Sequence, residues 1–273
     1  MHVHTWVFDR NQDIRYSRMT RVFQRSLENQ CIPCTVHTMP APPPTGRPHW
    51  MDSNHEKLLL WSQTVQELAD GDLALISDSD MLCVSRPSQD LLDSVRFVGL
   101  TQRDKFYPIN GGMIVVRGSE EARRFFRAWV DSDTHLYTHA TEHQRWRKKY
   151  AGMNQASLGR ILETREDLAS LIDYVPCDRT NMCKPWVPGW EDAHFIHVKS
   201  ELRKAVFDPR VLRLHPGLAP IVDMWKTLER ETGYTPPPQK DLPEFQRGRY
   251  HAGTRFTRMG GHVQRRYTKG CTK

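Results

Sequence analysis

Alternating runs of apolar and polar residues along the chain predict a fold built from strands and helices. His2 to Phe8 is rich in β-forming residues and predicts a first strand. Apolar residues at near-helical spacing follow from Ile14 to Leu27, and Asp13 precedes them as a helix cap. Thr35 to Met39 predicts a second strand. Because strand, helix and strand alternate, we expect an α/β fold with a parallel sheet whose strand ends face a ligand.

The same alternation continues through most of the chain. Five prolines between Pro40 and Pro48 predict a stiff surface loop. The later segments are predicted in chain order as a helix from Asp52 or Ser53 to Ala69, strands at Leu73–Ser77, Arg96–Leu100 and Tyr107–Arg117, a helix from Ser119 to Asp131, a mobile loop or exposed helix over Ser132–Lys149, a helix ending at Leu162, a strand at Asp173–Pro176, an irregular stretch over Cys177–Asp192, a strand at Ala193–Val198 and a largely helical Val211–Thr232.

Positive charge is concentrated at the C-terminal end of the sequence. The length of 273 residues suits one large domain or two small ones. Gln246 to Lys273 contains eight Lys or Arg and no acid. Subtracting those eight from the net charge of +7 leaves −1 for Met1 to Phe245. Pro236 to Pro238 predicts a hinge before this basic stretch. We therefore predict one body over residues 1–235 and a basic tail over residues 236–273.

Several classes of protein do not fit this composition. A hydrophobic fraction of 38% and a charged fraction of 26% are typical of globular domains. No stretch reaches the roughly 18 apolar residues of a membrane span, and Met1 to Phe8 has neither the charge nor the apolar length of a signal peptide. Cys31 and Cys34 have C-x-x-C spacing, but the later pair, Cys177 and Cys183, does not complete a zinc pattern. We expect a cytoplasmic protein with reduced thiols.

The stretch with the clearest chemistry runs from Asp72 to Val84. Its apolar start predicts a buried strand, Leu73 to Ser77, that continues directly into Asp78 and Asp80. Two carboxylates at the end of a core strand are costly unless a cation lies between them. Oxygen ligands on a short turn, with room for water and phosphate oxygens, suit Mg²⁺ or Mn²⁺. The alternative is a turn in which both acids are simply solvated.

Four segments, taken in order, resemble the nucleotide-sugar glycosyltransferases of the GT-A fold. They span roughly Val3 to Val206 and are the opening strand–helix–strand unit, the D-x-D of Asp78-Ser79-Asp80, the strand with N-G-G at Asn110-Gly111-Gly112, and the Asn154-Gln155 pair with the later His197-to-Arg203 element. The resemblance implies a GT-A-type, Rossmann-like mixed α/β sheet flanked by helices, here with a basic C-terminal extension. It also implies an enzyme that uses a nucleotide sugar, typically a UDP-sugar, together with Mn²⁺ or Mg²⁺.

The sequence departs from the glycogenin-like, retaining members of that family in its last segments. Those members have Asp before the Gln, whereas this chain has Asn154. They also have Gly and Lys where this chain has Ser200 and Arg203. Arg in place of Lys keeps a cation that can bind phosphate. Asn in place of Asp removes a base, which disfavours an inverting mechanism at that position.

The resemblance assigns a metal site and a set of phosphate contacts. Asp78 and Asp80 are the expected metal ligands, and His197, from a different strand end, is the expected third ligand. His194 is a rival, and His197 as a satisfied core histidine is the alternative reading. Lys199 and Arg203 are expected to add cationic contacts to the diphosphate.

The nucleotide is expected at the end of the first strand. The resemblance places Phe8, Asp9 and Arg10 against the base and ribose, with Ser79 also in the nucleotide-sugar site. Lys57, on the helix before the D-x-D, is predicted to reach the nucleotide or the sugar. The alternative for Lys57 is a solvated helix face.

The sugar and the reacting carbon are expected beside the N-G-G strand. Asn110, Gly111 and Gly112 are predicted to lie along the sugar or acceptor, because absent side chains let a substrate approach the backbone. Gln155 is predicted near the anomeric carbon, where its amide oxygen can stabilise positive charge and favour retention. Asn154 and Gln155 are therefore predicted catalytic residues with Asp80, and helix capping is the alternative for the Asn-Gln pair.

The basic tail suggests the acceptor. Its cations alternate with aromatic residues and glycines, a composition suited to phosphates and stacked bases. Arg145 to Lys149 adds a second basic segment, and Trp186 and Trp190 are a predicted platform for an extruded base. These residues favour DNA as partner and a hydroxymethylated pyrimidine as acceptor, as in some bacteriophage glycosyltransferases, which would act in the host cytoplasm. The predicted DNA-binding arginines are Arg247, Arg249, Arg255, Arg258, Arg265 and Arg266.

Other functions remain open at the level of sequence. A solvated tail would leave a cell-surface glycan, a lipid or a protein as the acceptor. A basic tail also suits an anionic membrane, although this one has no amphipathic period. A non-catalytic nucleic-acid-binding protein, with Asp78 and Asp80 in an ordinary turn, is the reading of a different class. The sequence leaves the oligomeric state undetermined.

Overall fold

The computed structural model describes residues 1–9, 14–103, 108–184 and 189–234. The strands among these residues are β1 (His2–Asp9), β2 (Cys34–Pro40), β3 (Leu73–Ser77), β4 (Met81–Cys83), β5 (Val98–Gln102), β6 (Ile109–Arg117), β7 (Ile172–Pro176) and β8 (Phe195–His197). Six of them form one sheet in the order β2, β1, β3, β6, β5, β7, and β4 pairs with β8 in a second, small sheet.

The large sheet is mixed, and its parallel half defines one functional edge. β1 lies between β2 and β3 and is parallel to both, with Val3 opposite Cys34 on one side and Leu75 on the other. β6 is antiparallel to β3 and to β5, and β7 is parallel to β5. Because β2, β1 and β3 run the same way, their last residues meet at one edge, which we call the carboxyl edge.

Helices cover both faces of the large sheet. The helices of the described residues are α1 (Ile14–Asn29), α2 (His49–Glu67), α3 (Gln89–Asp93), α4 (Glu120–Thr138), α5 (Ala140–Tyr150), α6 (Asn154–Thr164), α7 (Glu166–Ala169), α8 (Cys177–Thr180), α9 (Ser200–Phe207) and α10 (Ala219–Glu231). On one face α2 and α4 bury Trp61, Phe125 and Trp129. On the other, α1 and α3 bury Phe23 and Leu92. Because both faces are covered, β3 is apolar along nearly its whole length, as the sequence predicted.

Two segments on the α2–α4 side differ from the sequence-based predictions. α2 begins at His49, ahead of the predicted cap, because Pro48 supplies the extended residue that precedes the first turn. The stretch from Ser132 to Lys149 is helical except at His139, which separates α4 from α5, so the mobile loop was wrong and the exposed helix is confirmed. Leu136 and His143 are buried within it, which anchors an otherwise polar segment to the body.

The small sheet joins a second packing unit to the large one. Met81 of β4 lies opposite His197 of β8. Behind this pair, α9 and α10 enclose a core that contains Leu82, Ile196 and Trp225. Pairing between β4 and β8 therefore fixes the residue before β4, Asp80, beside the end of β8.

Three elements near the C-terminal end of the described chain were not predicted in this form. α9 was not predicted, and the predicted irregular stretch begins with the single turn of α8. The predicted helix over Val211–Thr232 starts only at Ala219, after two 3₁₀ turns that each begin at a proline, at Pro209–Arg213 and Pro216–Leu218. No helix among the described residues combines the length and the apolar character that crossing a bilayer requires.

Candidate metal centre

The turn Asp78-Ser79-Asp80 is held between two strands at the carboxyl edge. β3 ends at Ser77, and the N–H of Asp78 donates to the carbonyl of Gly112 in β6 (2.8 Å). The N–H of Val198, just after β8, donates to the carbonyl of Asp80 (2.7 Å). Backbone hydrogen bonds on both sides therefore fix the two carboxylates. The side chain of Asp80 is only 7% exposed, and that of Asp78 is 21% exposed.

His197 completes a group of three side chains with ligand atoms. Its Nε2 lies 3.3 Å from Oδ1 of Asp80 and 3.8 Å from Oδ2 of Asp78. Each of the three residues offers an atom within 4.8 Å of the others. Two carboxylates and one imidazole form a donor set that fits a divalent cation. The rival, His194, instead bonds through Nδ1 to Oγ of Ser85 (2.9 Å).

Asn181 sets the orientation of the His197 ring. Nδ1 of His197 donates to Oδ1 of the fully buried Asn181 (3.1 Å), which leaves Nε2 facing the two carboxylates. Asn181 is placed by the chain beside β8, where the N–H of Met182 donates to the carbonyl of Phe195 (2.9 Å). An outer hydrogen bond of this kind fixes the ring tautomer of a histidine that binds metal.

Gly112 makes room for the same ring. A Cβ atom at position 112 would lie 2.5 Å from Cε1 of His197 and 2.7 Å from Nδ1. Real Cβ atoms essentially never come so close to another atom. The missing side chain at Gly112 therefore accommodates His197, whereas the prediction placed Gly112 along the sugar or acceptor.

Two cations balance the carboxylates. Lys57 of α2 contacts Oδ1 of Asp78, and Nη2 of Arg203 in α9 contacts Oδ2 of Asp80. Lys57 also lies over the ring of Trp61, with Nζ 4.6 Å from the ring centroid. Its side chain is only 16% exposed, which does not fit a solvated helix face. Both predicted cations thus reach the D-x-D.

Charge near the turn displaces the pKa values of two buried groups. Burial raises the pKa of Asp80, but the charges of His197, Arg203 and Lys57 outweigh it and hold that pKa well below its ordinary value. For His197, burial and the neighbouring Lys199 lower the pKa, whereas the carboxylate of Asp80 raises it and determines the net upward shift. The turn therefore keeps Asp80 ionised and able to bind a cation.

The N-G-G strand and the Asn-Gln pair meet next to this group. Asn110 accepts from the N–H of Gly112 (2.9 Å) and donates to Sγ of Cys183 (2.7 Å). Gln155 donates through Nε2 to the carbonyls of Tyr150 (2.8 Å) and Ile109 (3.2 Å), so its amide is fixed between α6 and β6. A Cβ at position 111 would meet only Cγ of Gln155, at 3.8 Å.

Asn154 begins α6 but does not cap it. Met153 occupies the N-cap position, and the side chain of Asn154 bonds to no backbone N–H among the described residues, which argues against helix capping as its role. The amide is buried, and neither Oδ1 nor Nδ2 has a hydrogen-bond partner among the described residues. The backbone carbonyl of Asn154, in contrast, accepts a hydrogen bond from Nε1 of Trp129 (3.0 Å). Buried amides normally have hydrogen-bond partners, so the side-chain amide of Asn154 can still donate and accept hydrogen bonds.

The other predicted site residues are divided between the edge and the rest of the molecule. Phe8 and the backbone of Asp9 lie at the end of β1, and Lys199 comes two residues after the end of β8, where its N–H donates to the carbonyl of His197 (2.8 Å). Trp190 is partly buried against the core behind β8. The remaining predicted residues, which are Arg10, Trp186, Arg247, Arg249, Arg255, Arg258, Arg265 and Arg266, lie outside the described residues.

Sequence reasoning missed three residues that shape the centre: Asn181, Cys183 and Tyr16. Asn181 and Cys183 lie in a stretch predicted as irregular, where no periodicity marks an inward side chain. Tyr16, on α1, receives a hydrogen bond from Nη1 of Arg203 (3.3 Å). The pairing of Met182 with Ile196 brings the Asn181–Cys183 stretch to β8, and the two paired residues are far apart in the sequence.

The sheet order and the acidic turn at its carboxyl edge define the GT-A fold of glycosyltransferases. Similar solved structures include the galactosyltransferase LgtC in complex with donor and acceptor sugar analogues (TM-score 0.52, 12% identity, covering 89% of this chain and 100% of LgtC). A glycosyltransferase involved in glycosylation of the major capsid of PBCV-1 has a TM-score of 0.50 at 13% identity and covers 72% of this chain and 91% of its own.

The apo form of the glycosyltransferase GlyE from Streptococcus pneumoniae TIGR4 is also similar, with a TM-score of 0.51 and 11% identity over 84% of this chain. This chain covers 62% of GlyE. No family model and no curated protein matches the sequence. At these identities the likeness establishes the fold, which confirms the predicted GT-A architecture.

Proposed function

We propose that this protein is a metal-dependent glycosyltransferase that moves a sugar from a nucleotide-diphosphate sugar, a UDP-sugar in our proposal, to a hydroxyl acceptor. The observation that carries the proposal is the group formed by Asp78, Asp80 and His197 at the carboxyl edge of a GT-A sheet. In open α/β sheets ligands bind at this edge. The donor set accepts Mn²⁺ or Mg²⁺, of which we propose Mn²⁺ because one ligand is an imidazole.

The residues around the metal group supply the rest of the donor site. A divalent ion bound here provides Lewis-acid stabilisation of the charge that develops on the departing diphosphate. Lys57 and Arg203 contact the two carboxylates, and we assign both cations to the diphosphate oxygens. Lys199, two residues after His197, is the third cation that we assign to the diphosphate. Phe8 and Asp9 end the neighbouring strand, where we place the base and ribose.

We infer retention of configuration from the residues near the reacting carbon. Asn154 has no carboxylate, so it cannot act as the base that an inverting reaction needs at that position. Gln155 is held by two backbone carbonyls through its amide nitrogen, and its amide oxygen is the group we assign to the anomeric carbon. Asn110 and Gly111 are assigned to the sugar, since a Cβ at Gly111 would find almost open space.

For the acceptor we propose a 5-hydroxymethylpyrimidine in bacteriophage DNA. The support is the composition of Gln246 to Lys273, where eight cations lie among aromatic residues without any acid. A cell-surface glycan, a lipid or a protein is the alternative acceptor for the same donor chemistry. We propose the tail, residues 236–273, as a separate DNA-binding segment.

The test is a panel of nucleotide sugars, with Mn²⁺ or Mg²⁺, read by release of nucleoside diphosphate with and without hydroxymethyl-containing DNA. We expect turnover with one donor, stimulation by the modified DNA, and loss of turnover in Asp80→Asn. Asp93→Asn, an exposed carboxylate on α3, is the matched control and should retain activity. A wild-type protein that binds DNA but releases diphosphate from no donor would be a non-catalytic binding protein.

A further inference from the structure

A cluster of cations lies on the outer side of α5 and on the loop opposite it. Arg145, Arg147 and Lys148 are exposed on α5, and Arg47 is exposed in the loop before α2. None of these four has an acidic partner within salt-bridge distance among the described residues. We call them the α5 surface. Because none of these four cations is in an ion pair among the described residues, this surface is available to an anionic ligand.

The acids close to the α5 surface are already engaged. Glu142 is bound by Nε2 of His135 (2.6 Å) and Nε of Arg160 (3.0 Å). Glu163 is bound by Nζ of Lys149 (2.6 Å) and by the hydroxyl of Tyr150 (2.6 Å). The positive charge of the α5 surface is therefore a net excess in this part of the molecule.

Aromatic rings hold the guanidinium groups in place. Arg147 lies over Trp50 (4.7 Å to the ring centroid). Arg47 lies in the same way over Tyr137 (4.4 Å). A guanidinium supported on a ring keeps its N–H donors available, and its forked geometry matches phosphate oxygens. Ring support also reduces the side-chain entropy lost when a ligand binds.

Helix α2 contacts both the α5 surface and the candidate metal centre. Trp50 and Lys57 are both on α2, seven residues apart, which is about 10 Å along a helix axis. Lys57 contacts Asp78, and Trp50 supports Arg147. The last residue of α5, Tyr150, also accepts the hydrogen bond that fixes Gln155. A stacked nucleic-acid strand has one phosphate per roughly 3.4 Å, so the distance of about 10 Å between Trp50 and Lys57 covers about three nucleotides.

We propose that the α5 surface binds the phosphodiester backbone of a nucleic-acid acceptor, about three nucleotides from the base that reacts. This inference rests on the proposed function and adds a docking site within the described body, separate from the tail. A single diphosphate would bind only Lys57 and Arg203. The four further cations of the α5 surface therefore suit a ligand that carries several phosphates. An anionic membrane fits less well, because the outer side of α5 is almost entirely polar.

The test compares two triple variants of the full-length chain, each of which removes three positive charges. The first is Arg145→Gln, Arg147→Gln and Lys148→Gln. The matched control is Arg86→Gln, Arg124→Gln and Arg213→Gln, three exposed cations on other elements. Binding of labelled single-stranded DNA is measured by fluorescence anisotropy at increasing salt, and donor hydrolysis is measured without DNA.

We expect the first triple variant to bind DNA at least about tenfold more weakly, with a slope of log K against log salt reduced by about two, since each phosphate contact on a single strand contributes about 0.7. Donor hydrolysis should match wild type, and the control variant should bind almost as wild type does. Equal losses of DNA affinity in both variants, or no loss in the first, would overturn this proposal. Neither result would contradict the proposed donor hydrolysis.

Two further outcomes separate this proposal from others. Binding of the wild type to phosphatidylserine vesicles but not to DNA would assign the surface to a membrane and overturn the proposal. Absence of donor hydrolysis in the wild type would contradict the proposed enzyme. In that case a selective loss of DNA binding in the first variant would still support the α5 surface.

Discussion

At the scale of single residues, His197 is the side chain whose position depends on the most other residues. Asp80 and Asp78 face its Nε2, Asn181 holds its Nδ1, and Gly112 leaves the space its ring occupies. These contacts come from three separate parts of the chain. The ring is thus held in one orientation, as the proposed ligand role requires.

We expect Gly112→Ala to weaken Mn²⁺ binding by about 10- to 100-fold, because the new Cβ would displace the His197 ring. Gly111→Ala is the matched control, since its Cβ would make only an ordinary contact with Gln155. Titration of Mn²⁺ followed by electron paramagnetic resonance measures both variants. Equal affinity in the two would show that the ring is not confined as described.

The two acids of the centre were predicted from the sequence, because a carboxylate pair at the end of a buried strand has a recognisable pattern. His197 was predicted only through the resemblance to GT-A glycosyltransferases. Asn181 was not predicted, since it reaches His197 through tertiary contacts such as the pairing of Met182 with Ile196. The role of Gly112 was also not predicted. A glycine in a strand signals a close approach, but the sequence does not specify which group approaches.

At the scale of secondary-structure elements, β1 and β2 carry a row of histidines. His4 contacts His37 across the strands (3.2 Å), and His2 contacts Thr35 (2.8 Å). Burial, together with the charges of His2 and His37, lowers the pKa of His4 to about 4 from an ordinary value of 6.5. Burial likewise lowers the pKa of His37 and of His2.

This row should make the fold less stable in mild acid. Between pH 6.5 and 4 the unfolded chain binds a proton at His4 that the folded chain does not, so the contribution is complete above pH 6.5 and declines below it. We expect the free energy of unfolding to be about 1 kcal/mol lower at pH 5 than at pH 7 on this account, after allowance for solvent screening.

Urea unfolding at the two pH values measures the difference. His4→Gln should reduce it, and His139→Gln, an exposed histidine outside the row, should not. An identical pH dependence in wild type and His4→Gln would contradict this account.

Elements with strong periodicity were predicted well, and those that depend on tertiary contacts were not. β3 and β6 match their predicted positions because buried strands are apolar along their length. α5 was ambiguous because its sequence is almost wholly polar, and only the burial of His143 and Tyr150 fixes it. α9 follows β8, a strand of only three residues, and so short a strand does not predict that a helix comes next.

At the scale of the whole molecule, the sequence predicted the GT-A architecture, which the structural likeness confirms. The order of the motifs was sufficient for this, because the fold places its acidic turn after the third strand of a parallel set. The division into residues 1–235 and a tail remains a prediction. It rests on the change in charge along the chain.

We expect deletion of Gln246 to Lys273 to weaken DNA binding and reduce its salt dependence, because eight cations are removed. Donor hydrolysis and the midpoint of thermal unfolding should stay close to those of the full chain. Anisotropy titrations over a range of salt concentrations measure the first effect. Unchanged affinity and slope would remove the main support for a DNA acceptor.

The pairing of Lys57 with Asp78 and of Arg203 with Asp80 has a consequence for the order of events. Two negative and two positive side chains sum to electrical neutrality. A divalent ion that bound alone would give the candidate metal centre two excess positive charges. A diphosphate that bound alone would give it an excess of negative charge. Arriving together they nearly cancel, so we expect each to raise the affinity for its companion, and the donor to enter and its by-product to leave with the ion attached.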